Sequence, residues 1–417
     1  MLREKTPVMI RSLTPVAPLL IGVAILLTGQ GLQGTLLPVR ANLEGFSTLS
    51  IGLMGGAYFF GFTLGCLRGS NLIGRVGHIR VFAAMTAAAS AAPLIHGLWQ
   101  ETWLWWVLRF MSGYCFAVLY VVIESWLNEQ STNDSRGAVF SVYTLITLTV
   151  LAGGQQMLLL YDPKMMALFA IASALVSIAA LPVVLSVVPT PALAETAAQL
   201  DLHRLWKISP AGALGCLAAG LANGAFWSLA PVFVSGYSPD VSLAAWFMTA
   251  AVLGGAAGQW PLGLWSDRVD RRWVIAFAAL VGAVSGMVIW WFFEGVSTLQ
   301  LMLLSAAWGA VAFPLYAVSV AHANDYADSD EYVMISSGLL LMYGVGAIAG
   351  PFLAPLAMKM LGPGGLYVFG AIVHLLLLGY IVFRITRRAP APEEEHLPFA
   401  DSLASTQTAS HYYEEEM

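Results

Sequence analysis

The chain has 417 residues, 58% of them hydrophobic and only 10% charged, with a mean hydropathy of +0.75. An ordinary soluble domain carries roughly 25% charged residues, so a water-soluble globular protein is excluded and a polytopic membrane protein is indicated. The net charge of −5 comes from residues 389–417, which hold seven acids and no Lys or Arg; the rest of the chain is slightly basic, and no basic patch interleaved with stacking aromatics argues for nucleic acid.

A membrane-spanning helix needs about 20 mostly apolar residues. Taken in chain order, twelve stretches qualify: 16–39, 49–67, 79–98, 103–127, 138–160, 165–187, 208–234, 243–264, 273–293, 299–321, 334–356 and 365–385. The first is longer than the apolar region of a signal peptide and has no convincing cleavage site, so it is expected to stay as a span. Cys66, Cys115 and Cys216 fall inside apolar stretches without metal-ligand spacing and read as small packing residues. No metal and no cofactor is expected.

Two basic loops occupy corresponding places: Leu72-Ile-Gly74-Arg75-Val-Gly77-His78-Ile-Arg80, and Gly263-Leu-Trp-Ser-Asp267-Arg268-Val-Asp270-Arg271-Arg272. Arg75 and Arg268 are 193 residues apart, and the same offset pairs Gly31 with Gly224, Pro38 with Pro231, Gly61 with Gly254, Gly65 with Gly258, Gly153 with Gly346, and Gln30 with Asn223. A duplicated six-span unit explains this. The expected division is an N-terminal bundle over 1–187, a linker over 188–207, a C-terminal bundle over 208–388 and a disordered acidic tail over 389–417. Related membrane halves are the architecture of a secondary transporter, with the substrate crossing at the repeat interface.

Cationic loops are retained in the cytoplasm. With both termini inside, Arg40, Lys164 and Lys359 are external, Arg109 is intramembrane, and every other Lys and Arg is cytoplasmic. The localisation expected is the bacterial inner membrane.

The loop Gly263 to Arg272 resembles the signature of the major facilitator superfamily, G-x-x-x-D-R-x-G-R-R, with Asp270 in place of the second glycine. In the first half Gly74 replaces the aspartate, while Arg75, Gly77 and Arg80 remain. Gly77-His78-Ile79-Arg80, Glu124-Ser-Trp-Leu-Asn128 with Arg136-Gly137, and His322-Ala-Asn-Asp325 are similar to the YcaD-like branch, which has no settled substrate. The resemblance covers all twelve spans and implies an all-α fold of two pseudo-symmetric six-helix bundles.

It also implies a cytoplasmic latch, in which Asp267 closes against the start of the fifth span near Gly137 and Ala138, where a helix N-terminus favours an anion. Arg268, Arg271 and Arg272 belong to the same set. In the first half Glu124 or Glu129 would work against Arg75, Arg80 or Arg136. The alternative is that these arginines only anchor the topology in solvent.

Arg109 is the one basic residue well inside a span, where charge costs a few kcal/mol without a partner or a polar cavity. Arg109-x-x-x-Gly113 resembles the fourth helix of proton-coupled members. At helical spacing Arg109, Gly113, Phe116 and Tyr120 share a face, with Glu124 close to it. That face either lines the central pathway or lets Arg109 snorkel outward. Gln30 and Gln33 share a face of the first span, and Asn223 and Trp227 share one of the seventh. In the superfamily the first, fourth, seventh and tenth helices surround the cavity, which makes these four candidate substrate ligands. Interhelical hydrogen bonding is the equal alternative. Trp308 and Tyr316 in the tenth span and Tyr343 in the eleventh are weaker candidates.

Gly344 to Pro351 resembles the glycine-proline antiporter signature, but that signature belongs in the fifth helix, which here reads Ala152-Gly-Gly-Gln-Gln without proline. His322 and His374 titrate in the physiological range, although a lone membrane histidine more often packs. No span carries a carboxylate near its middle, so protons are the candidate coupling ion without an evident carrier.

The expected function is therefore alternating-access transport of a small amphipathic or anionic organic solute by a monomer in the lipid bilayer, with efflux slightly favoured over uptake. The competing expectation is a non-transporting receptor or scaffold acting through the acidic tail. On the transporter reading, deletion from Ala389 onward leaves flux largely intact. A membrane-embedded enzyme is disfavoured, since no nucleophile with a base and no paired intramembrane carboxylates appear.

Overall fold

In the computed structural model the described residues are 16–131, 133–186, 201–292, 295–328, 331–387 and 399, with the side chains of 133–136 and 333 outside that set. Most of the expected tail and linker, and the Arg136 side chain, thus lie outside the described residues.

Among the described residues twelve helices are long and apolar enough to cross a membrane: Ala17–Leu43, Thr48–Val76, His78–Leu98, Thr102–Glu129, Gly137–Leu160, Met166–Val184, Pro210–Tyr237, Val241–Ser266, Arg271–Trp291, Thr298–Asn324, Met334–Leu361 and Gly365–Arg387. They are called the first to twelfth spans. The second runs nine residues past its expected end at 67. Hydropathy senses where lipid ends, whereas a helix continues into water as long as its backbone ladder is intact; here it stops at Gly77, whose φ of 90° disfavours any residue with a Cβ. In the second half Asp270 stands in that place and caps the ninth span instead, its carboxylate accepting from the Arg272 N–H at 3.0 Å.

The chain groups into two compact units, residues 1–33 with 61–197, and residues 34–60 with 198–417. Residues 34–60, assigned to the first bundle on sequence grounds, pack in the second unit: a Cβ on Gly52 would overlap the Pro351 carbonyl, and one on Gly55 would overlap the Ser228 hydroxyl. Part of the expected linker is also built into the second unit. Asp201 caps the short helix Leu202–Ile208, and Leu205 packs over Gly338.

The two units share an internal plan. In the first, Gly61 and Gly65 of the second span lie on the carbonyls of Phe110 and Tyr114 in the fourth. In the second, Gly254 and Gly258 of the eighth lie on those of Ala306 and Ala310 in the tenth. Likewise Gly31 meets Leu151 and Gly154 meets Thr28, while Gly224 meets Ala347 and Gly350 meets Leu221. The offset between halves is 193 for Thr28 and Leu221 but 196 for Phe110 and Ala306, and again 196 for Gly154 and Gly350. The second half carries three extra residues before its fourth helix, so the structural counterpart of Gly350 is Gly154. The sequence pairing of Gly153 with Gly346 is corrected: a Cβ on Gly153 meets nothing within 4 Å, whereas one on Gly346 would overlap Leu217.

Candidate functional site

Polar side chains in the first unit gather between the first, fourth and fifth spans. The Tyr120 hydroxyl donates to Gln30 Oε1 at 2.9 Å, and Phe62 packs edge-on against the Tyr120 ring at 6.0 Å. One helical turn beyond Tyr120, buried Glu124 accepts from the Tyr143 hydroxyl at 3.2 Å. Gln33 donates back to the Gly29 carbonyl at 3.3 Å, leaving its buried Oε1 without a hydrogen-bond partner. Arg109 is half-buried and lies within electrostatic range of the His96 ring of the third span. His96 escaped the sequence reading, and its ring is held by the Ala92 carbonyl at 2.7 Å and by Trp105.

In the second unit the corresponding face is aromatic. Trp227 stacks on Phe313 with ring centroids 5.3 Å apart and planes 7° from parallel. Tyr316 and Tyr343 meet edge-to-face at 5.0 Å. Trp308 is instead buried in the helix packing against Phe226. Asn223, at the place of Gln30, is 4% exposed and its Oδ1 has no hydrogen-bond partner. His374 is a packing residue: its Nδ1 is bonded to the Gly370 carbonyl at 2.7 Å, and the ring fills the space over Gly282.

At the loop after the eighth span, Arg271 and Arg272 are not solvent cations. Arg271 is fully buried, its Nε donating to Asp325 Oδ2 at 2.7 Å and its Nη1 to the Ser266 hydroxyl at 3.2 Å. Arg272 clasps Asp270, with Nε 2.9 Å from Oδ2, and donates to the Arg384 carbonyl at 3.3 Å. Burial works to raise the Asp270 carboxyl pKa, but the bonds from Arg272 prevail and hold it below its ordinary value. The loop thus binds the ends of the eighth, ninth, tenth and twelfth spans into one block. Asp267 lies 3.4 Å from Arg271 and accepts from the Phe399 N–H at 2.8 Å. Arg268 is exposed, as are Arg75 and Arg80.

His78 stands in the first half where Arg271 stands in the second. It is buried and hydrogen-bonded to Ser125 of the fourth span at 3.1 Å. Each half therefore ties its third helix to its fourth at this point, through a neutral pair in one and an ion pair in the other. Asp325, quoted in the family motif without a role, is the counter-ion that the sequence reading missed.

A duplicated twelve-span helical protein with a polar face in one half and an aromatic face in the other has the architecture of a solute carrier. The sequence profile of the Major Facilitator Superfamily matches residues 212–410. An uncharacterized MFS-type transporter of Yersinia enterocolitica is 24% identical, over 93% of this chain and 98% of its own length. The uncharacterized MFS-type transporter YcaD of Escherichia coli is 27% identical, over 91% and 97%. The crystal structure of the nucleoside transporter NupG superimposes with a TM-score of 0.72 at 15% identity, over 90% of this chain and all of that one. Nearly half of the chain thus matches the superfamily, and over most of its length the chain is similar to MFS-type transporters of the YcaD-like group and shares the twelve-helix fold.

Proposed function

We propose that the protein carries a small organic solute by alternating access between two six-helix bundles, using Gln30, Tyr120 and Arg109 from the first and Asn223, Trp227, Tyr316 and Tyr343 from the second. The observation that carries this is the pair of matched amides. Gln30 presents a carboxamide already oriented by Tyr120, while Asn223 holds a buried carbonyl oxygen without a partner. A buried acceptor left unsatisfied costs about 1–3 kcal/mol, a cost that a solute hydroxyl or N–H would offset. Trp227 stacked on Phe313 supplies a flat apolar wall beside it. Amide acceptors next to aromatic faces suit an amphipathic solute with a ring and hydrogen-bonding groups, and Arg109 suits one with a negative charge.

The same reading makes Asp267 the cytoplasmic latch and puts both termini in the cytoplasm of the inner membrane. Its test is flux into proteoliposomes across a panel of nucleosides, sugars and organic anions, with and without a pH gradient. At least one class should move down an imposed gradient, and Asn223→Ala should cut that flux about tenfold, the effect of losing roughly 1.4 kcal/mol of binding. Absence of gradient-dependent flux for every class would refute the proposal.

A further inference from the structure

The loop after the eighth span holds one residue from beyond the last span. Phe399 lies twelve residues beyond Arg387, where the last span ends. It is only 4% exposed, and it belongs to the buried apolar cluster of the second unit together with Leu262. Its ring covers Gly263 so closely that a Cβ there would overlap it. Its backbone N–H donates to Asp267 Oδ1 at 2.8 Å, a charge-assisted bond of the stronger kind. Two independent features converge on one residue, an apolar seat that exists because position 263 is glycine and an anionic acceptor at the rim of that seat.

We propose that Gly263 and Asp267 form a binding site for an aromatic residue presented with its backbone N–H, that the chain's own Phe399 occupies it, and that this occupancy competes with the latch for the Asp267 carboxylate. The competition rests on the latch reading given above; the seat does not. With Oδ1 accepting from the Phe399 N–H and facing Arg271, the Asp267 carboxylate is turned toward its own unit and has less acceptor capacity to offer a neighbouring helix start. Docking of the tail therefore withdraws the carboxylate from cytoplasmic closure, and release of the tail returns it. The acidic residues Glu393, Glu394, Glu395 and Asp401 flank Phe399 in sequence, so a basic partner or a change of charge there would shift the balance between the two states.

The seat is tested on the full-length protein in lipid nanodiscs by limited chymotrypsin digestion read by mass spectrometry, with cleavage after Tyr413 as the internal clock. Cleavage after Phe399 should be slow in the native chain. It should accelerate about tenfold or more in Asp267→Ala, which removes the acceptor, and in Gly263→Val, which fills the seat. Hydrogen exchange of the Phe399 amide in the native protein gives the same reading without a substitution. A Phe399 site cut as fast in the native chain as in both variants, with an unprotected amide, overturns the seat.

The competition is tested by deletion from Ala389 onward in the flux assay. Flux should persist with an altered rate, and the alteration should vanish in the Asp267→Asn background. An alteration of equal size in that background overturns the competition. Failure of the transport reading itself would show as no flux in any variant, with the digestion result still readable.

Discussion

Arg271 and His78 perform one task with different chemistry, and the difference is measurable. Removing one member of a buried ion pair leaves the other charge uncompensated and costs about 3–5 kcal/mol. Losing a neutral hydrogen bond costs about 0.5–1.5 kcal/mol. Arg271→Ala, which removes the ion-pair partner of buried Asp325, should therefore lower the detergent melting temperature more than His78→Gln, which keeps most of the side-chain volume beside Trp126 and disturbs only a neutral hydrogen bond to Ser125. The double variant Arg271→Met with Asp325→Leu should recover much of the loss, because a well-packed apolar pair of similar volume avoids desolvating two charges. Equal losses from the two single variants would mean that the buried pair is not what binds the ninth span to the tenth.

The glycines of the helix crossings show what a span contributes beyond its hydropathy. Gly153 and Gly154 are neighbours of the same residue type, yet a Cβ on Gly154 would strike the Thr28 carbonyl and one on Gly153 meets open space. Gly154→Ala should destabilise by about 1–3 kcal/mol through overpacking. Gly153→Ala should be neutral or stabilise by up to about 1 kcal/mol through helix propensity. Thermal unfolding of the two variants in the same detergent separates them, and the reverse order would refute the register that pairs Gly154 with Gly350. Sequence comparison alone paired the wrong glycines in this helix, because an offset carries no information about an insertion until the contacts on both sides of it are known.

For the molecule as a whole, the basic-residue bias makes a prediction about orientation. In a background where Cys66, Cys115 and Cys216 are replaced, Arg268→Cys should react with a membrane-impermeant maleimide only after the cells are opened, and Lys164→Cys should react in intact cells. Both positions are exposed, so labelling from the opposite side in each case would invert the topology. The acidic tail bears on the same question through Phe399. Phe399 is the described residue of the expected tail, and it is seated in the second unit.

The twelve spans, the internal repeat and the likeness to the superfamily were all legible in the chain, because each leaves a local mark: the bilayer demands some twenty apolar residues at a time, and a repeat preserves glycines at a constant separation. The candidate solute face was legible only in part. Helical spacing placed Gln30, Tyr120, Asn223 and Trp227 on usable faces, but it could not show that Tyr120 orients Gln30 or that Phe313 backs Trp227. The loop arginines were read as a set of equals, whereas Arg271 and Arg272 are neutralised inside one unit and Arg268 is exposed. His96 and Phe399 had no local signature, and Asp325 stood in a family motif that gave it no role. Their roles come from segments far apart in the chain that meet only after the helices pack, and which buried charge, amide or ring finds a partner is settled by those long-range meetings rather than by the residues on either side.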